Sequence, residues 1–465
     1  LRCRMKLLPM NPAPPVTRIV DIDVLLLYYV SMRKSMILFG DVAILYGALF
    51  LTLFVRYGSI TDETLKIHLV PFSLIFAIWV LMFYITNLYE LALVKNTIQF
   101  FSNYFSVMAI NAALAIAFFY LLPFFRIAPK LNLFIFIAFA LVLEVSWRSL
   151  YNRLLVKSGY RNNTLIVGLS PQSQELLDFL TTNPQLGYNA LGIIDITNSA
   201  ASATLEKIIR EQDVKTLVIA REVYAIPNII DVLYRLVPLK LRFYNLSRFS
   251  ERVTGKIPLS AIDQSWFLDN LSDGNMRGYE LLKRIVDMLG AVIMGILSIP
   301  IDIMIVIVIK IYAPGPIFYR QVRKGHAGEH LAIIKFRTMI PEAELQGAVW
   351  AQTDDPRITK IGKFLRKTRL DELPQLWSVL KGDLSLVGPR PERPEFHDRL
   401  TSEIPFYNER YLIKPGLMGW AQLKYRYGAS VQDAAEKLQY DLYYIKNRSI
   451  LLDLGIILRT LNIIV

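Results

Sequence analysis

Two adjacent carboxylates, Asp371 and Glu372, are the residues of this sequence with the clearest capacity for chemistry. Pro374 suits the first turn of a helix, which places both acids in the N-terminal cap region. There the helix dipole, and a cation such as Arg366 about one turn earlier, favour ionised carboxylates. An ionised aspartate is a competent nucleophile toward phosphorus, and an adjacent glutamate can hold Mg²⁺ that shields the phosphate. Acids are also ordinary helix caps, so this acid pair taken alone leaves both interpretations open.

Cations elsewhere in the same part of the chain favour the chemical interpretation. Lys335 and Arg337 follow an apolar run and lie on one side of an extended segment. The turn 388–391 is rigid and presents Arg390, and a second turn opens at Lys414. Cations on loops are suited to clamping phosphate groups. The acid pair and these cations together predict a site that acts on phosphate.

A basic stretch before the acid pair predicts contact with a membrane surface. Its cations have no acid among them: Arg357, Lys360, Lys363, Arg366, Lys367 and Arg369. Apolar residues at helical spacing, including Ile361 and Phe364, alternate with these cations, which is typical of a helix lying on anionic lipid. The same residues fit a solvated basic face equally well, so both interpretations stay open.

Composition indicates the class of protein that must position these residues. In 465 residues, Lys and Arg number 52 against 39 Asp and Glu, which gives a net charge of +13. Hydrophobic residues make up 54% and charged residues only 20%, which excludes a disordered chain and predicts a membrane protein. Cys3 is the only cysteine, so a disulfide framework and a cysteine-based metal cluster are excluded. The basic excess suits an anionic partner, whether lipid headgroups, a phosphorylated substrate or nucleic acid.

Four apolar stretches predict transmembrane helices at roughly 36–55, 67–89, 100–124 and 131–148. Each approaches the ~20 residues that a spanning helix needs. Residues 1–35 are polar and basic without a signal-peptide pattern, and a second basic cluster follows the fourth stretch. Both flanks are therefore predicted to be cytoplasmic, with the transmembrane region at 36–150. Asp41 and Glu144 lie within predicted spans, where an ionised group indicates either a functional site or a solvated span end.

Residues 160–270 have the alternation of a Rossmann-like α/β module. Short β-branched runs separated by helical stretches predict a parallel, doubly wound sheet. Gly168 follows the first strand where a dinucleotide-binding fold has its glycine fingerprint, and Asp195 ends the next strand where a ribose-binding acid would lie. However, the other two glycines of the fingerprint are missing, and Pro171 alters the start of the helix. A structural or regulatory module is favoured over nucleotide binding.

The apolar segment 280–310 has a helix-breaking signal at its centre. Ser298, Pro300 and then Asp302 interrupt it, and an interior proline removes one helical hydrogen bond. Basic residues flank the segment on both sides, so both ends are predicted to be cytoplasmic. A re-entrant helix-break-helix satisfies both flanks, whereas a fifth span would export everything that follows it. The re-entrant arrangement is preferred, and residues 311–465 then form a domain at the cytoplasmic face.

Five motifs in order give the chain a resemblance to a known family. They are Lys335-Phe-Arg-Thr-Met, Leu370-Asp-Glu-Leu-Pro-Gln-Leu-Trp, Lys381-Gly-Asp-Leu-Ser-Leu-Val-Gly-Pro-Arg-Pro, Lys414-Pro-Gly-Leu-Met-Gly-Trp-Ala-Gln and Tyr440-Asp-Leu-Tyr-Tyr-Ile. The chain resembles the polyprenyl-phosphate phosphoglycosyltransferases of the monotopic superfamily, the bacterial sugar transferases that start exopolysaccharide, capsule and O-antigen synthesis. The resemblance implies a membrane α plus α/β fold class in its long form. Four N-terminal transmembrane helices and a Rossmann-like α/β module would precede a monotopic catalytic domain, which a re-entrant helix and amphipathic helices would anchor.

The resemblance also implies a reaction. Asp371 matches the nucleophile that attacks the β-phosphate of a UDP-hexose, releases UMP and forms a sugar-phosphoryl aspartate. Polyprenyl (undecaprenyl) phosphate then takes the sugar phosphate. Glu372, with Asp371, matches the ligands of Mg²⁺ (or Mn²⁺). Further matches are Lys335, Arg337, Arg366 and Arg390 for phosphates, Asp441 as another acid of the site, and Ser298 and Pro300 for the helix break. The implied location is the bacterial inner membrane, with the catalytic domain on its cytoplasmic face.

Two other functions compete with this one. A membrane-tethered NAD-dependent nucleotide-sugar dehydratase or epimerase would use residues 160–250, but it needs a complete glycine loop and a Tyr-x-x-x-Lys pair. A four-span sensor that binds nucleic acid needs a helix-turn-helix or an aromatic-basic platform, whereas the cations here surround the acid pair. No nucleic-acid partner is therefore expected. The residues do not distinguish glucose from galactose, and the N-terminal parts are expected to form a homodimer or to regulate.

Overall fold

The computed structural model describes residues 22–90, 96–121, 130–157, 162–195, 200–226, 229–239, 241–271, 277–312, 315–341, 343, 355–425, 428 and 430–464. The chain divides into two compact units. The first comprises residues 1–80, 89–161 and 183–188, and the second comprises residues 81–88, 162–182 and 189–465.

Four long helices belong to the first unit, except for the end of the second one: α1 (Ile22–Tyr57), α2 (Asp62–Ile85), α3 (Ile98–Leu121) and α4 (Lys130–Lys157). Each contains an apolar segment long enough to cross a membrane, namely Lys34–Tyr57, Asp62–Ile85, Ile98–Tyr120 and Leu131–Leu154. The four predicted apolar helices are therefore present, and the number that cross a membrane stays a prediction. α1 begins at Ile22, so part of the segment predicted as a polar N-terminal region is helical.

Buried charges lie between α1 and α4. Arg148 Nη2 donates to Asp41 Oδ2 at 2.5 Å, and both side chains are fully buried. Glu144, one turn before Arg148 on α4, is also fully buried. The two acids within predicted spans are therefore enclosed by protein, and solvation at a span end does not explain them.

The second unit begins with a four-stranded sheet covered by helices. Its strands are β1 (Asn162–Val167), β2 (Tyr188–Ile194), β3 (Thr216–Ile219) and β4 (Arg242–Asn245), in the order β2-β1-β3-β4. β3 pairs in parallel with both β1 and β4. The helices are α5 (Pro171–Thr182), α6 (Ala200–Glu211), α7 (Ile229–Arg235) and α8 (Leu246–Thr254), with short 3₁₀ helices at Arg221–Ala225 and Val237–Leu239. The 3₁₀ helix Pro184–Leu186 and the first residue of β2 are counted in the first unit. The predicted α/β region is confirmed.

Neighbouring side chains approach Gly168 closely at the carboxyl end of β1, where such a sheet would hold a nucleotide. Strand order reverses between β1 and β3, and open α/β sheets bind ligands at the carboxyl ends of the strands there. A Cβ on Gly168 would lie 2.6 Å from Val223 Cγ2 and 2.8 Å from the Ala220 Cβ. The Ser170 hydroxyl accepts from the backbone N–H of Ser173 and so caps α5. The preference for a structural or regulatory module over nucleotide binding stays a prediction.

A single long helix, α10 (Arg277–Tyr312), contains the fifth apolar segment, Gly278–Tyr312. It runs through Pro300 without interruption, so the predicted separation into two half-helices is not found. The proline removes only one helical hydrogen bond. The Ser298 hydroxyl lies within hydrogen-bond distance of the Gly295 carbonyl (3.0 Å) and of Asp302 Oδ2 (2.8 Å). Whether α10 re-enters the membrane or crosses it stays a prediction.

Two small sheets and further helices form the remainder of the second unit. β5 (Phe318–Lys324) pairs antiparallel with β6 (His330–Phe336), and β7 (Ser385–Val387) pairs in parallel with β8 (Gly416–Met418). The helices are α9 (Gln264–Leu271), α11 (Lys360–Thr368), α12 (Leu376–Lys381), α13 (Pro394–Glu403), α14 (Trp420–Lys424), α15 (Val431–Asn447) and α16 (Ile450–Ile464). Short 3₁₀ helices lie at Leu259–Ala261, His326–Gly328, Leu370–Gln375 and Tyr407–Tyr411. One core joins α10, α12, β7 and α16 through side chains such as Ala291, Val379, Leu386 and Ile456.

Residues that precede α10 help to build the core around α15. Ile257 and Ile262 are buried in one cluster with Leu438 and Leu442 of α15. Side chains of α9 pack against the same cluster: Trp266, Phe267 and Leu271. The packed domain around α15 therefore includes residues that the sequence assigns to the Rossmann-like module.

Candidate active site

The acid pair lies in a sharp connection between two helices. Arg369 follows α11 in a left-handed conformation (φ 57°), and the 3₁₀ helix Leu370–Gln375 begins directly after it. The sequence predicted a cap region before a helix starting near Pro374, whereas the acids lie inside this 3₁₀ helix. Asp371 is 7% exposed and Glu372 is 8% exposed. The tight connection therefore buries two adjacent carboxylates.

Two cations hold the carboxylate of Glu372. Lys335 Nζ donates to Glu372 Oε1 at 2.7 Å. Arg390 donates through Nη1 to Oε2 at 3.1 Å and through Nη2 to Oε1 at 2.5 Å. Two-pronged, charge-assisted contacts of this kind are among the stronger hydrogen bonds in proteins. The structure thus brings together three residues that the sequence assigned to the site.

The charges around Glu372 determine its ionisation. Burial alone would raise the pKa of this carboxyl, but Arg390 and Lys335 outweigh burial and hold the pKa well below its usual range. Burial lowers the pKa of the Lys335 ammonium, and the negative charge of Glu372 opposes that shift. Glu372 is therefore an anion fixed between two cations.

Asp371 has a different environment from its neighbour. No hydrogen bond joins its carboxylate to another residue in the described part of the chain. Burial raises the pKa of Asp371 above its usual range; Lys335 opposes the shift and Glu372 adds to it. Arg390 and Arg366 also act to lower this pKa, so their charges lie near the carboxyl. An aspartate without a donor keeps its oxygen lone pairs available for a substrate or a metal ion.

The other predicted cations occupy separate places. Arg366 Nε donates to Thr338 Oγ1 at 2.8 Å, just beyond the end of β6, and its charge acts on Asp371. The guanidinium of Arg337 lies against Gly315, shortly after α10. Arg366 thus belongs to the electrostatic surroundings of Asp371, whereas Arg337 packs against the chain that leaves α10.

Asp441 is linked to the acid pair only through other residues. It is buried on α15 and accepts from Arg410 Nη2 at 2.7 Å. The same Nη2 donates to the carbonyl oxygen of Arg390 at 3.0 Å, and Arg410 Nη1 donates to the Tyr407 hydroxyl. Burial raises the pKa of Asp441, and the charge of Arg410 opposes the shift. Asp441, assigned by the sequence to the substrate site, is thus the partner of an arginine that holds the backbone of Arg390.

A second arginine supports the loop that carries Arg390. Arg323, at the end of β5, donates to the Pro391 carbonyl at 3.3 Å and lies 3.6 Å from Glu392 Oε1. Sequence reasoning treated Arg323 only as a flanking charge and did not single out Arg410. Arg323 could have been found from its place at the end of a strand. No local sequence pattern distinguishes Arg410.

The acid pair fits a hard divalent cation by the chemistry of its donors. In the described part of the chain, no group of three or more His, Cys, Asp or Glu side chains is placed to hold a metal ion. Mg²⁺ needs less than this, because it commonly binds through one or two carboxylates and completes its shell with substrate phosphates and water. Asp371 supplies a carboxylate that accepts no hydrogen bond from any described residue, and Glu372 supplies Oε2, which accepts one hydrogen bond where Oε1 accepts two. The acid pair would therefore hold the ion.

Comparison with known proteins places the chain in a family. The model of the bacterial sugar transferase family matches residues 278–465, which include every site residue described above. A protein of Klebsiella pneumoniae named UDP-glucose:undecaprenyl-phosphate glucose-1-phosphate transferase is 31% identical over 332 residues, covering 65% of this chain and 68% of that protein. A protein of Caulobacter vibrioides with the same name is 39% identical over 183 residues, covering 39% of this chain and 68% of that protein.

A third relative is named for a different sugar. The Aeromonas hydrophila protein is named UDP-N-acetylgalactosamine-undecaprenyl-phosphate N-acetylgalactosaminephosphotransferase, and it is 41% identical over 221 residues. That match covers 48% of this chain and 52% of the relative, so the chain spans about half the length of that protein. The chain belongs to the bacterial sugar transferase family. It is an enzyme of the sugar-phosphate transferase type. The described residues include five helices that are long and apolar enough to cross a membrane, which is typical of a membrane protein.

Proposed function

We propose that this enzyme transfers a hexose 1-phosphate from a UDP-sugar to undecaprenyl phosphate. The names of the relatives support both substrates, since they specify undecaprenyl phosphate and a UDP-glucose or UDP-N-acetylgalactosamine donor. The observation that carries the proposal is the contrast within the acid pair. Glu372 is fixed by two cations, whereas the adjacent Asp371 is buried and accepts no hydrogen bond from any residue that the structure describes.

Asp371 is the nucleophile in this proposal. Its carboxylate oxygen attacks the β-phosphorus of the UDP-sugar, the bond from that phosphorus to the bridging oxygen breaks, and UMP leaves with that oxygen. The product is a sugar-phosphoryl aspartate. An oxygen of undecaprenyl phosphate then attacks the same phosphorus, and the aspartate carboxylate leaves to give undecaprenyl diphosphosugar. Asp371 returns to its starting state, so neither step needs an external oxidant or reductant.

The cations hold charge in place during both steps. Lys335 and Arg390 already stabilise an anion at Glu372, and phosphate oxygens entering the site would meet the same donors. Arg366 contributes positive charge near Asp371. Asp371 and Glu372 would hold Mg²⁺ or Mn²⁺, which supplies charge neutralisation between the attacking carboxylate and the phosphate when it is bound.

The two substrates explain why the enzyme would lie at a membrane surface. Undecaprenyl phosphate is lipid-bound and the UDP-sugar is soluble, so the site must face both phases. α10 exposes a continuous apolar surface that includes Leu289, Ile293 and Leu297. On α11, Phe364 is 60% exposed among the cations Lys360, Lys363 and Lys367. These features support a location on the cytoplasmic face of the inner membrane, with lipid contact through both helices.

The test is the substitution Asp371→Asn, which keeps the shape of the side chain and removes the nucleophile. We expect UMP release and undecaprenyl diphosphosugar formation to disappear while the melting temperature stays close to that of the wild type. Asp398→Asn, at an exposed aspartate of α13 outside the five motifs, is the matched control. Near-normal turnover of Asp371→Asn would remove this residue from the role.

Two further measurements define the substrates and the metal. UMP release from a panel of UDP-sugars, including UDP-glucose, UDP-galactose and UDP-N-acetylgalactosamine, identifies the donor. Activity in EDTA, with Mg²⁺ or Mn²⁺ added back, tests the metal. Wild-type activity that is indifferent to EDTA would exclude the metal role of the acid pair.

A further inference from the structure

One helix joins the Rossmann-like module to the active site. α15 carries Asp441 on its inner side, where the carboxylate binds Arg410 and, through it, the backbone of Arg390. On its outer side the same helix contacts the segment 251–257, which contains the end of α8 and the residues that follow. A displacement of α15 would therefore change the support of Arg390.

A buried lysine forms the centre of the outer contact. Lys256, two residues after α8, is only 8% exposed. Its Nζ donates at 2.7 Å to Glu175 on α5 and at 2.7 Å to Glu436 on α15. Burial alone would lower the pKa of Lys256, but the two acids outweigh burial and raise it. These three residues, termed the Lys256 clasp, tie the sheet domain to the helix by charge.

Backbone and side-chain hydrogen bonds extend the contact along α15. The Ile257 N–H donates to the Gln439 carbonyl at 3.1 Å. Further along, Lys446 Nζ donates to Glu251 Oε2 at 2.7 Å. The contacts begin at Glu436 and end at Lys446, so they span about three turns of helix. Asp441 lies in the middle of this span, between the contacts at Glu436 and Gln439 and the contact at Lys446.

We propose that the Rossmann-like module positions the active site through the Lys256 clasp. The clasp holds α15 in place, and α15 carries Asp441, which binds Arg410. Arg410 in turn binds the backbone carbonyl of Arg390, whose side chain contacts Glu372. Lys256 touches neither the acid pair nor Arg390, so it is a positioning residue. The inference rests on the proposed role of Arg390 in phosphate binding.

The first test is Lys256→Met in the full-length, membrane-extracted enzyme. The substitution keeps the length of the side chain and removes its charge. We expect kcat/KM for the UDP-sugar to fall about 10-fold, because small displacements of a positioned group cost up to ~10²-fold in rate. Lys256→Arg should recover most of the activity. Lys207→Met is the matched control, since Lys207 lies on the same module in an exposed 3.8 Å pair with Glu211.

The second test asks whether Lys256 acts through Arg390. We expect Lys256→Met to cause no further loss of kcat/KM when Arg390 is already replaced by Ala, because residues that act in one chain of contacts are not additive. Fully additive losses, or no effect of Lys256→Met in the wild-type background, would overturn the inference. If Arg390→Ala alone leaves transfer unchanged, the proposed phosphate-binding role of Arg390 fails instead. Should Lys256→Met not fold, Glu436→Gln removes the same contact and enters the same cycle.

Discussion

At the scale of single residues, the acid pair shows how adjacent carboxylates acquire different roles. The carboxylate oxygens of Glu372 accept hydrogen bonds from Lys335 and Arg390, and these two cations hold its pKa low. Asp371 accepts no hydrogen bond from the described residues, and burial raises its pKa. A carboxylate that is poorly solvated and not hydrogen-bonded is the stronger nucleophile of the two. The assignment of Asp371 as nucleophile and Glu372 as charge partner follows from this difference.

The raised pKa of Asp371 predicts an acid limb in the pH profile. Only the ionised carboxylate attacks phosphorus, so kcat/KM should fall as the pH drops through this pKa, which lies above the ordinary aspartate range. Glu372 should add no limb there, because its pKa is held well below the usual range. The measurement is the initial rate of UMP release between about pH 4 and pH 8 at low UDP-sugar. A profile that stays flat down to the ordinary aspartate pKa would contradict the raised value.

At the scale of secondary structure, the close approach of α11 to β6 positions Arg366. Gly362 packs directly on the Thr338 backbone, where an added Cβ would overlap the carbonyl group and lie 2.9 Å from Cα. Thr359, the N-cap of α11, donates its N–H to the Thr338 carbonyl at 3.0 Å. Glycine is needed here for the close approach, since any side chain would push the helix away.

Gly362→Ala should therefore reduce activity, although Gly362 is not itself a residue of the active site. Moving α11 away from Thr338 breaks the contact from Arg366 to the Thr338 hydroxyl, and overpacking of this kind costs about 1–3 kcal/mol. We expect a lower melting temperature together with reduced kcat/KM. Gly278→Ala is the control, because an added Cβ there meets nothing within 4 Å. Equal melting temperatures for the two variants would show that α11 tolerates the extra methyl group.

The topology of α10 is the second question at this scale. Its apolar segment has 35 residues, which at ~1.5 Å per residue is about 52 Å, longer than a ~30 Å hydrocarbon core. α10 is therefore long enough to cross the membrane. The prediction that it re-enters instead depends on the basic residues at both of its ends and on Pro300. With Cys3→Ser as background, cysteines at Glu280 and Glu329 should both be protected from an impermeant periplasmic reagent. Labelling at 329 alone would establish that α10 crosses the membrane.

The sequence predicts more of the site's chemistry than of its geometry. Asp371, Glu372, Lys335 and Arg390 were identified because their residue types and motifs carry chemistry directly. Arg410 was not, because it lies in none of the five motifs and its partner Asp441 is 31 residues away. The proline predicted a kink or a break at Pro300, and α10 continues as one helix through it, since the loss of one hydrogen bond does not by itself end a long helix.

At the scale of the whole second unit, the α/β module and the domain with the acid pair share structure. Lys256 contacts both Glu175, which lies 81 residues before it in the sequence, and Glu436, which lies 180 residues after it. Trp420 Nε1 donates to the Gly255 carbonyl at 2.9 Å, which adds a second connection. The motifs alone suggest that a chain beginning near residue 270 would retain activity, since all of them lie beyond it. The packing shows that such a chain would lack part of its core.

A chain that begins at residue 278 should therefore be less stable than one that begins at Leu246. The shorter chain loses Ile257 and Ile262, which are 2% and 7% exposed, and leaves Leu438 and Leu442 without their partners. Burial of a large aliphatic side chain contributes about 1.5–3 kcal/mol, so the two isoleucines account for about 3–6 kcal/mol. We expect the 278–465 chain to melt at a clearly lower temperature in the same detergent, while any correctly folded fraction still releases UMP. Because the 246–465 chain keeps Lys256 and Glu436 but lacks Glu175, it should also show lower kcat/KM than the full-length enzyme. Matching melting temperatures for the two truncated chains would mean that residues 246–277 add nothing to the core around α15.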